Sequence, residues 1–430
     1  MFEIKDKPKM VERALLLSAY TKAEERAEAS SLLDELEELV DTLGVPVVER
    51  MLVHHRENHA KLLLGSGKAE EIAELVKEKK IDVIVFDNEL TPGQQRNWEK
   101  ITGALVIDRE EVILDIFGKR ARSREARLQV DLARMEYSLP RLVRAWSHFG
   151  QQGGGIGGKG EGESQLEQDK RKIRGQIERL RRDLKAIKLE RATQRKDRKR
   201  TPVPNAAIVG YTNAGKSSLL RLLTGADVLV EDKLFATLDT TTRRIALPNK
   251  QPLLLTDTVG FVRKLPHRLV ESFNATLEEA VMADFLIHLL DASQPEVLKF
   301  YETTKKVLSD LGADEKRILM VFNKVDKITD PSVVPSLRHQ FPGAVFVSIK
   351  SGEGIDLLVR RISEFVESDI TGADVRIPQS RADLIARLHR EAVVLSTDYV
   401  GNDVLMRVRA SQRTLLDYEE FRLKEALSAA

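Results

Sequence analysis

The amino-acid sequence predicts an α/β protein of several domains. At 430 residues the chain is long for one core, because domains of about 100–200 residues are usual. Strand-like apolar runs alternate with amphipathic, helix-like stretches over residues 11–117 and again from residue 205 to about 368. Such alternation is typical of mostly parallel sheets with covering helices. Two narrow apolar stripes between these regions predict a pair of helices.

Residues 1–120 are predicted to form an N-terminal α/β domain. Apolar runs indicate strands at residues 14–19, 45–53, 83–86 and 104–107. Amphipathic stretches indicate helices at residues 23–43, 68–79 and 92–101. The last of these helices begins at Thr91-Pro92, a favourable N-cap and first-turn pair.

Residues 121–200 are predicted to form a long antiparallel helical hairpin. Apolar side chains recur at 4-3-4-3 spacing in two stripes: Leu128, Leu132, Met135, Leu139 and Leu142, then Ile173, Ile177, Leu180, Leu184 and Ile187. Stripes of this width close helices along a coiled-coil-like seam. The connecting loop has seven glycines between Gly150 and Gly160, so we expect a glycine-rich tip.

The rest of the chain divides at a charged linker, residues 198–204, which ends in two prolines and cannot continue a helix. Residues 201–369 return to strand–helix alternation and are predicted to form a second α/β domain, a mostly parallel sheet with helices on both faces. Residues 370–430 are predicted to form a small C-terminal α+β module.

Composition excludes several classes of function. The chain has no cysteine, which rules out disulfides, thiolate metal sites and cysteine nucleophiles. No apolar stretch approaches the ~20 residues of a membrane-spanning helix, and we find no secretory signal or lipidation motif. We therefore expect a cytoplasmic protein without a membrane anchor.

Positive charge is concentrated in the predicted hairpin, although the net charge is only +2. Residues 119–144 carry eight Lys/Arg against three Asp/Glu, and residues 159–200 carry sixteen against eight. Such asymmetry indicates a polyanionic partner such as RNA. The alternative is a pair of solvated helices with no such partner.

A phosphate-binding motif opens the second α/β domain. Gly210-Tyr-Thr-Asn-Ala-Gly215-Lys216-Ser217 matches G-x-x-x-x-G-K-[ST], between a strand-like run and a helix-like stretch. In a P-loop the glycines let backbone N–H groups face an anion beside a helix N-terminus. Lys216 would reach the outer phosphates, and the Ser217 hydroxyl would ligate Mg²⁺.

A second motif follows about forty residues later, at the end of an apolar strand. Asp257-Thr258-Val259-Gly260 places a carboxylate where it can hold Mg²⁺ through water, and the Gly260 N–H where it can sense a γ-phosphate. We expect Lys216 and Gly260 to act on the reacting phosphates.

Two further motifs predict guanine specificity. Asn323-Lys324-Val325-Asp326 follows the apolar run at residues 318–322. The Asp326 carboxylate can accept hydrogen bonds from the N1–H and exocyclic amine of guanine, a pair that adenine lacks. Ser348-Ile349-Lys350 follows another strand and is predicted to contact the base oxygen through its backbone.

The threonine of the first switch is not fixed by spacing. Thr237, Thr240, Thr241 and Thr242 all lie between the P-loop and Asp257, where a GTPase needs one threonine for Mg²⁺.

Over residues 60 to 350 the chain resembles the HflX family of ribosome-associated GTPases. The resemblance rests on Val106-Ile-Asp-Arg109, Ile113-Leu-Asp-Ile-Phe117, Arg120-Ala-Arg-Ser-Arg-Glu-Ala-Arg-Leu-Gln-Val130, Gly154-Gly-Ile-Gly157, Glu163-Ser-Gln-Leu-Glu167 and Phe235-Ala-Thr-Leu-Asp239. Two positions depart from the family: no proline lies between Gly160 and Gly162, and Ile349 replaces the usual alanine.

The resemblance implies a switch assignment that spacing leaves open, with Thr237 as the Mg²⁺ ligand beside Ser217. The full predicted nucleotide-binding set is Gly210, Tyr211, Thr212, Asn213, Ala214, Gly215, Lys216, Ser217, Phe235, Ala236, Thr237, Leu238, Asp239, Asp257, Thr258, Val259, Gly260, Asn323, Lys324, Val325, Asp326, Ser348, Ile349 and Lys350.

The predicted function is Mg²⁺-dependent hydrolysis of GTP to GDP. By resemblance, the cycle would control binding of a monomer to ribosomal RNA of the large subunit and separate or rescue stalled ribosomes under stress. One alternative is an RNA-binding module with an ATP or GTP switch that does not act on the ribosome. A membrane-associated switch is disfavoured by the lack of any anchor.

Overall fold

The computed structural model describes residues 12–142, 161–198, 203–225, 234–235, 237–248, 251–264, 279–313, 315–368 and 370–423. The chain forms two compact units. The first comprises Met1–Lys185, Val230–Asp239 and Val259–Ala275, and the second comprises Ala186–Leu229, Thr240–Thr258 and Thr276–Ala430. Two short segments that follow the P-loop in sequence thus belong to the N-terminal unit.

The N-terminal unit contains a four-stranded parallel sheet in the order β2-β1-β3-β4. Its strands are β1 Ala14–Tyr20, β2 Val47–His54, β3 Val83–Phe86 and β4 Leu105–Asp108. The connecting helices are α1 Arg26–Leu43, α2 Ser66–Glu78 and α3 Pro92–Thr102. These elements confirm the predicted α/β class, since parallel strands are joined through helices.

A fourth helix, α4 Arg109–Arg120, follows β4 directly and was not predicted. Asp108 ends the strand and caps the helix, because its side chain accepts a hydrogen bond from the Glu111 N–H. Two acidic residues in the first turn and two basic residues in the last turn suit the helix dipole. The apolar run at residues 112–117 is therefore the buried face of a helix.

The predicted hairpin contains helices of unequal length. Helix α5 spans Arg124–Ser138 and passes into a single 3-10 turn, Leu139–Arg141. Its end differs from the predicted stripe, which runs on to Leu142, because Pro140 cannot supply the N–H that continues a helix. Helix α6 spans Glu161–Arg198. Arg181 of α6 donates to Glu136 of α5 at 2.8 Å. The glycine-rich loop at residues 150–160 lies outside the described residues.

The second unit contains a six-stranded sheet in the order β10-β9-β8-β5-β7-β6. Only β6 is antiparallel to its neighbour; the other pairs are parallel. The strands are β5 Asn205–Gly210, β6 Thr241–Ala246, β7 Pro252–Asp257, β8 Phe285–Asp291, β9 Arg317–Asn323 and β10 Val345–Phe346. The helices are α7 Lys216–Thr224, α8 Val297–Asp310, α9 Val333–Gln340 and α10 Ile355–Ser368.

The C-terminal part of this unit has a three-stranded antiparallel sheet in the order β11-β13-β12. Its elements are β11 Ile370–Pro378, α11 Ala382–Glu391, β12 Val393–Val400, β13 Asp403–Ser411 and α12 Gln412–Leu416. Val375, Met406 and Val408 are fully buried at its centre. Across the described residues, no helix is both long and apolar enough to cross a membrane.

Candidate nucleotide-binding site

The P-loop turns where only glycine fits. Gly210 ends β5 with a φ of 148°, and an added Cβ would lie 2.1 Å from the Leu289 carbonyl oxygen of β8. Gly215 has a φ of 100°, and its Cβ would lie 2.5 Å from the Asn323 side chain. Both positions need a backbone conformation and a close approach that a side chain would prevent. The sequence motif therefore has a steric cause at each glycine.

The Lys216 side chain folds back onto the backbone of the P-loop. Its ammonium donates to the carbonyl oxygens of Gly210 at 3.1 Å and Tyr211 at 2.6 Å. Burial lowers the pKa of this ammonium to about 8, against the opposing effect of the Asp257 carboxylate. A buried, partly compensated cation at the first turn of α7 is well suited to bind a phosphate, which would restore its charged form.

Ser217 and Asp257 bring two oxygen donors together. The Ser217 hydroxyl donates to Asp257 Oδ2 at 2.6 Å. Asp257 ends β7, and Ser217 lies in the first turn of α7. Hydroxyl and carboxylate oxygens are the ligands that Mg²⁺ prefers. The donor set at this pair therefore fits Mg²⁺.

Two neighbouring threonines have different environments. The Thr258 hydroxyl donates to the Ile208 carbonyl at 2.7 Å and is fully buried, so this side chain joins the end of β7 to β5. Only the backbone of Thr258 remains to face a nucleotide. In the P-loop, the buried Thr212 hydroxyl has no hydrogen-bond partner within the described part of the chain. A buried polar group without a partner is costly, and a phosphate oxygen could supply one.

Asn323 links the P-loop to the two motifs predicted to contact guanine. Its amide donates to the Ala214 carbonyl at 2.8 Å, and its oxygen accepts from the Ile349 N–H at 3.1 Å. The Val325 N–H donates to the Val347 carbonyl at 3.3 Å. Motifs separated by more than 100 residues in sequence are therefore held in one hydrogen-bonded arrangement.

Asp326 is exposed and poised as an acceptor. A hydrogen bond from Ser348 lowers the pKa of the Asp326 carboxyl below its usual range, with smaller effects from Lys350 and Lys327. The group therefore stays ionised at neutral pH and presents only acceptors. Lys324 lies beside it with a φ of 63°, and its ammonium pairs with Asp291 at 2.8 Å.

The four candidate switch threonines also differ in environment. Thr241 and Thr242 lie on strand β6, opposite Asp257 and Thr256 of β7. The Thr242 hydroxyl is 2.9 Å from the Thr256 hydroxyl. Thr237 and Thr240 lie outside the regular strand. The pairing of β6 thus commits two of the four threonines to the sheet.

The predicted site residues from Phe235 to Asp239, together with Val259 and Gly260, belong to the N-terminal unit. The Phe235 ring packs edge-on against Phe117 of α4, with centroids 4.6 Å apart. Asp239 Oδ2 accepts from the backbone N–H groups of Arg122 and Ser123, each at 3.0 Å. Leu238, Val259 and Gly260 are buried. Ala236 lies outside the described residues.

Two basic side chains after Gly260 join a buried ion-pair network in the N-terminal unit. Arg263 Nε pairs with Glu35 at 2.8 Å, and Lys264 Nζ pairs with Asp87 at 2.7 Å. Arg109 pairs with both carboxylates, at 2.7 Å in the case of Asp87. These contacts were missed from the sequence. Asp87 directly after the apolar strand β3 is the signal that could have drawn attention to them.

A buried histidine lies next to the P-loop strand. His288 of β8 is opposite Val209 of β5, and its ring stacks on Tyr301 at 5.6 Å. Burial, with a smaller effect of the Lys216 charge, lowers the pKa of His288 to about 3. The imidazole is therefore neutral at physiological pH and adds no second cation beside Lys216.

The fold and this arrangement of loops define a P-loop GTPase. Residues 30–118 match the family model for the GTP-binding GTPase N-terminal region, residues 120–198 the model for its middle region, and residues 205–324 the model described as 50S ribosome-binding GTPase. The chain is 53% identical to the GTPase HflX of Akkermansia muciniphila, over 94% of this chain and 96% of that protein. It is 39% identical to the GTPase HflX of Escherichia coli strain K12, over 88% of each.

The chain belongs to the HflX family of GTPases. It is also similar to the crystal structure of the SsGBP and GDP complex, with 25% identity, a TM-score of 0.48, and coverage of 83% of this chain and 99% of that one.

Proposed function

We propose that this GTPase binds the large ribosomal subunit through the helical hairpin and uses GTP hydrolysis to control that binding. It would act as a cytoplasmic monomer that separates or rescues stalled ribosomes under stress. The exposed basic surface of α6 carries the proposal, with side chains at Arg171, Lys172, Arg174, Arg179, Arg182 and Lys185. Closely spaced cations bind the phosphates of RNA and release counterions as they do so. The match of residues 205–324 to the 50S ribosome-binding GTPase family supports the large ribosomal subunit as the polyanionic partner.

The nucleotide would be held from both ends. Asp326 would accept from the guanine N1–H and exocyclic amine, while Asn323 keeps the base loops against the P-loop. Lys216 would exchange its bonds to two P-loop carbonyls for bonds to phosphate oxygens. The Gly260 N–H would donate to the γ-phosphate. Of the four proposed domains, at residues 1–120, 121–200, 201–369 and 370–430, the third would bind the nucleotide and the second would bind the ribosome.

Mg²⁺ would be held by Ser217 and Thr237, with Asp257 acting through water. Bound there, the ion would neutralise charge that develops on the phosphate oxygens. Ser217→Ala and Thr237→Ala should each weaken the Mg²⁺ dependence of nucleotide binding, measured by titrating Mg²⁺ against a fluorescent GTP analogue. Thr240→Ala is the matched control. A silent Thr237→Ala beside a damaging Thr240→Ala would move the switch threonine to position 240.

Co-sedimentation with purified large subunits tests the proposal. The triple variant Arg179→Glu, Arg182→Glu, Lys185→Glu should lose binding in the presence of a non-hydrolysable GTP analogue. The control triple variant Lys306→Glu, Arg360→Glu, Arg390→Glu reverses the same number of exposed charges outside the hairpin and should bind normally. Equal binding by both variants would remove the hairpin from the interface. Equal affinity for unrelated RNA would favour an RNA-binding GTPase that does not act on the ribosome.

A further inference from the structure

One acidic residue of the first switch segment is bonded to the start of a hairpin helix. Asp239 Oδ1 accepts from the Ser123 hydroxyl, and Asp239 Oδ2 accepts from the backbone N–H groups of Arg122 and Ser123, both at 3.0 Å. Ser123 is the N-cap of α5, and its hydroxyl in turn accepts from the Ala126 N–H at 3.1 Å. Asp239 therefore caps the residue that caps α5.

The chemistry of a helix N-terminus explains this arrangement. The backbone N–H groups at the start of a helix have no partner within it, and the helix dipole is positive at that end. Asp239 supplies acceptors for three donors and a negative charge at the same point. Its bond from the Ser123 hydroxyl also fixes that oxygen where it can accept from Ala126.

Two anchors of the N-terminal unit flank Thr237. Phe235, two residues before it, packs on Phe117 of α4. Asp239, two residues after it, is held at the start of α5. Two residues of extended chain span about 7 Å at most. Thr237 therefore has a short range of movement while both anchors remain in place.

We propose that Asp239 is a nucleotide-controlled cap of α5, so that the first switch sets the stability of the first hairpin helix. The proposal rests on the role of Thr237 as the Mg²⁺-linked switch threonine. GTPase switch segments are ordered by γ-phosphate and Mg²⁺ contacts and released on hydrolysis. In the arrangement seen here Asp239 caps α5; in the GTP state, the movement of Thr237 towards the ion withdraws the carboxylate from Ser123.

Coupling of this kind acts in both directions. Loss of the cap on GTP binding weakens the first turn of α5, which packs against α4 and contacts α6 through Glu136 and Arg181. By linkage, any partner that stabilises the capped α5 disfavours the GTP arrangement of the switch by the same factor. The hairpin and the nucleotide thus influence each other through one carboxylate.

Hydrogen–deuterium exchange of the free protein tests the proposal. With GDP, the amides of residues 122–127 should be protected. With a non-hydrolysable GTP analogue and Mg²⁺, they should exchange about fivefold faster, the equivalent of about 1 kcal/mol for a lost cap. Asp131→Asn, at an exposed position on the same helix, is the control and should keep this difference. Equal protection in the two nucleotide states of the native chain would overturn the proposal.

Two substitutions of Ser123 distinguish a nucleotide-controlled cap from a purely structural one. Ser123→Ala removes the hydroxyl and should give fast exchange in both nucleotide states. Ser123→Asp retains a good N-cap residue but places a like charge against Asp239, so α5 should stay protected in both states. Both variants should raise the ratio of GTP-analogue to GDP affinity, by up to about fivefold, because each weakens the capped arrangement that competes with the GTP state.

An unchanged affinity ratio in a folded Ser123→Asp variant would show that the cap is structural and does not communicate with the nucleotide. None of these measurements contains ribosomes. Their failure would therefore leave ribosome binding untouched, and failure of the co-sedimentation experiment would leave the cap untouched.

Discussion

At the residue scale, guanine selection is assigned to one carboxylate. Asp326→Asn exchanges an acceptor for an amide group, so the exocyclic amine of guanine loses its partner while the oxygen of xanthine gains a donor. Sites built for a hydrogen-bonded pair discriminate strongly against a mismatched one, and we expect the GTP-to-XTP affinity ratio to fall by at least ~100-fold. Competition binding with the two triphosphates measures the ratio. An unchanged preference for GTP would place base recognition elsewhere.

The Lys216 ammonium gives a second residue-scale prediction. Its pKa of about 8 in the free protein lies below the ordinary lysine value near 10.4. A bound phosphate favours the charged form and raises this pKa. Below pH 8 the ammonium is charged in both states, so affinity is constant. Above pH 8 binding takes up a proton, so affinity falls as pH rises.

Calorimetry in buffers of different ionisation enthalpy, at pH 7 and pH 8.8, measures this proton uptake. Lys216→Arg is the control, because a guanidinium stays charged across the range while titration of the guanine base is common to both proteins. Equal proton uptake by the two proteins would mean that the ammonium is already fully charged before nucleotide binds.

What the sequence predicts at this scale follows from how locally each feature is determined. Gly210, Lys216 and Asp257 lie at strand ends or helix starts, so spacing alone identifies them. The partners of Asp239 and Arg263 are 116 and 228 residues away, and no local pattern encodes a pairing over that distance. Spacing could not choose among the threonines for the same reason, since only the pairing of β6 separates Thr241 and Thr242 from the others.

At the element scale, the N-terminal sheet was predicted nearly residue by residue, whereas α4 was missed. Strand β4 passes straight into α4 without a loop, because Asp108 is both the last strand residue and the helix cap. The sequence therefore shows no break where the periodicity changes. The end of α5 shows the opposite case, since Pro140 stops a helix whose apolar spacing continues.

The buried network of Glu35, Asp87, Arg109, Arg263 and Lys264 gives the prediction at this scale. The Asp87 side chain is fully buried and faces two cations. Asp87→Asn leaves Lys264 without its counter-ion and Arg109 with Glu35 alone. Because breaking a fully buried pair costs about 3–5 kcal/mol of folding free energy, we expect a loss of up to that size. Urea unfolding followed by the fluorescence of buried Trp98 measures the loss, in a Trp146→Phe background that leaves one tryptophan.

Asp115→Asn is the matched control for that experiment. The pair of Asp115 with Arg134 is exposed, with side-chain accessibilities of 51% and 43%, and exposed pairs contribute at most about 1 kcal/mol. Similar losses of folding free energy in the two variants would show that the buried pairs of Asp87 stabilise the protein no more than an exposed pair does.

At the scale of the whole molecule, the division into units bears on the hydrolysis rate. The P-loop and the motifs proposed to bind the base lie in the second unit, whereas Phe235, Asp239, Gly260 and Arg263 group with the N-terminal unit. Catalysis of phosphoryl transfer depends almost entirely on positioning and charge stabilisation. We therefore expect hydrolysis to depend on a partner that positions the residues around Thr237 and Gly260.

The residue after Gly260 leads to the same expectation. Many G proteins have a glutamine there that orients the attacking water, but here it is Phe261, which is buried and cannot hydrogen-bond to water. We predict slow hydrolysis by the free protein and stimulation of at least ~10-fold by large ribosomal subunits, about 1.4 kcal/mol of barrier. Phe261→Gln alone should not reproduce this gain, because the switch segments would still lack their ordering partner. Single-turnover hydrolysis with and without purified large subunits measures both effects, and a fast rate without subunits, or no change on adding them, would remove the ribosome from the mechanism.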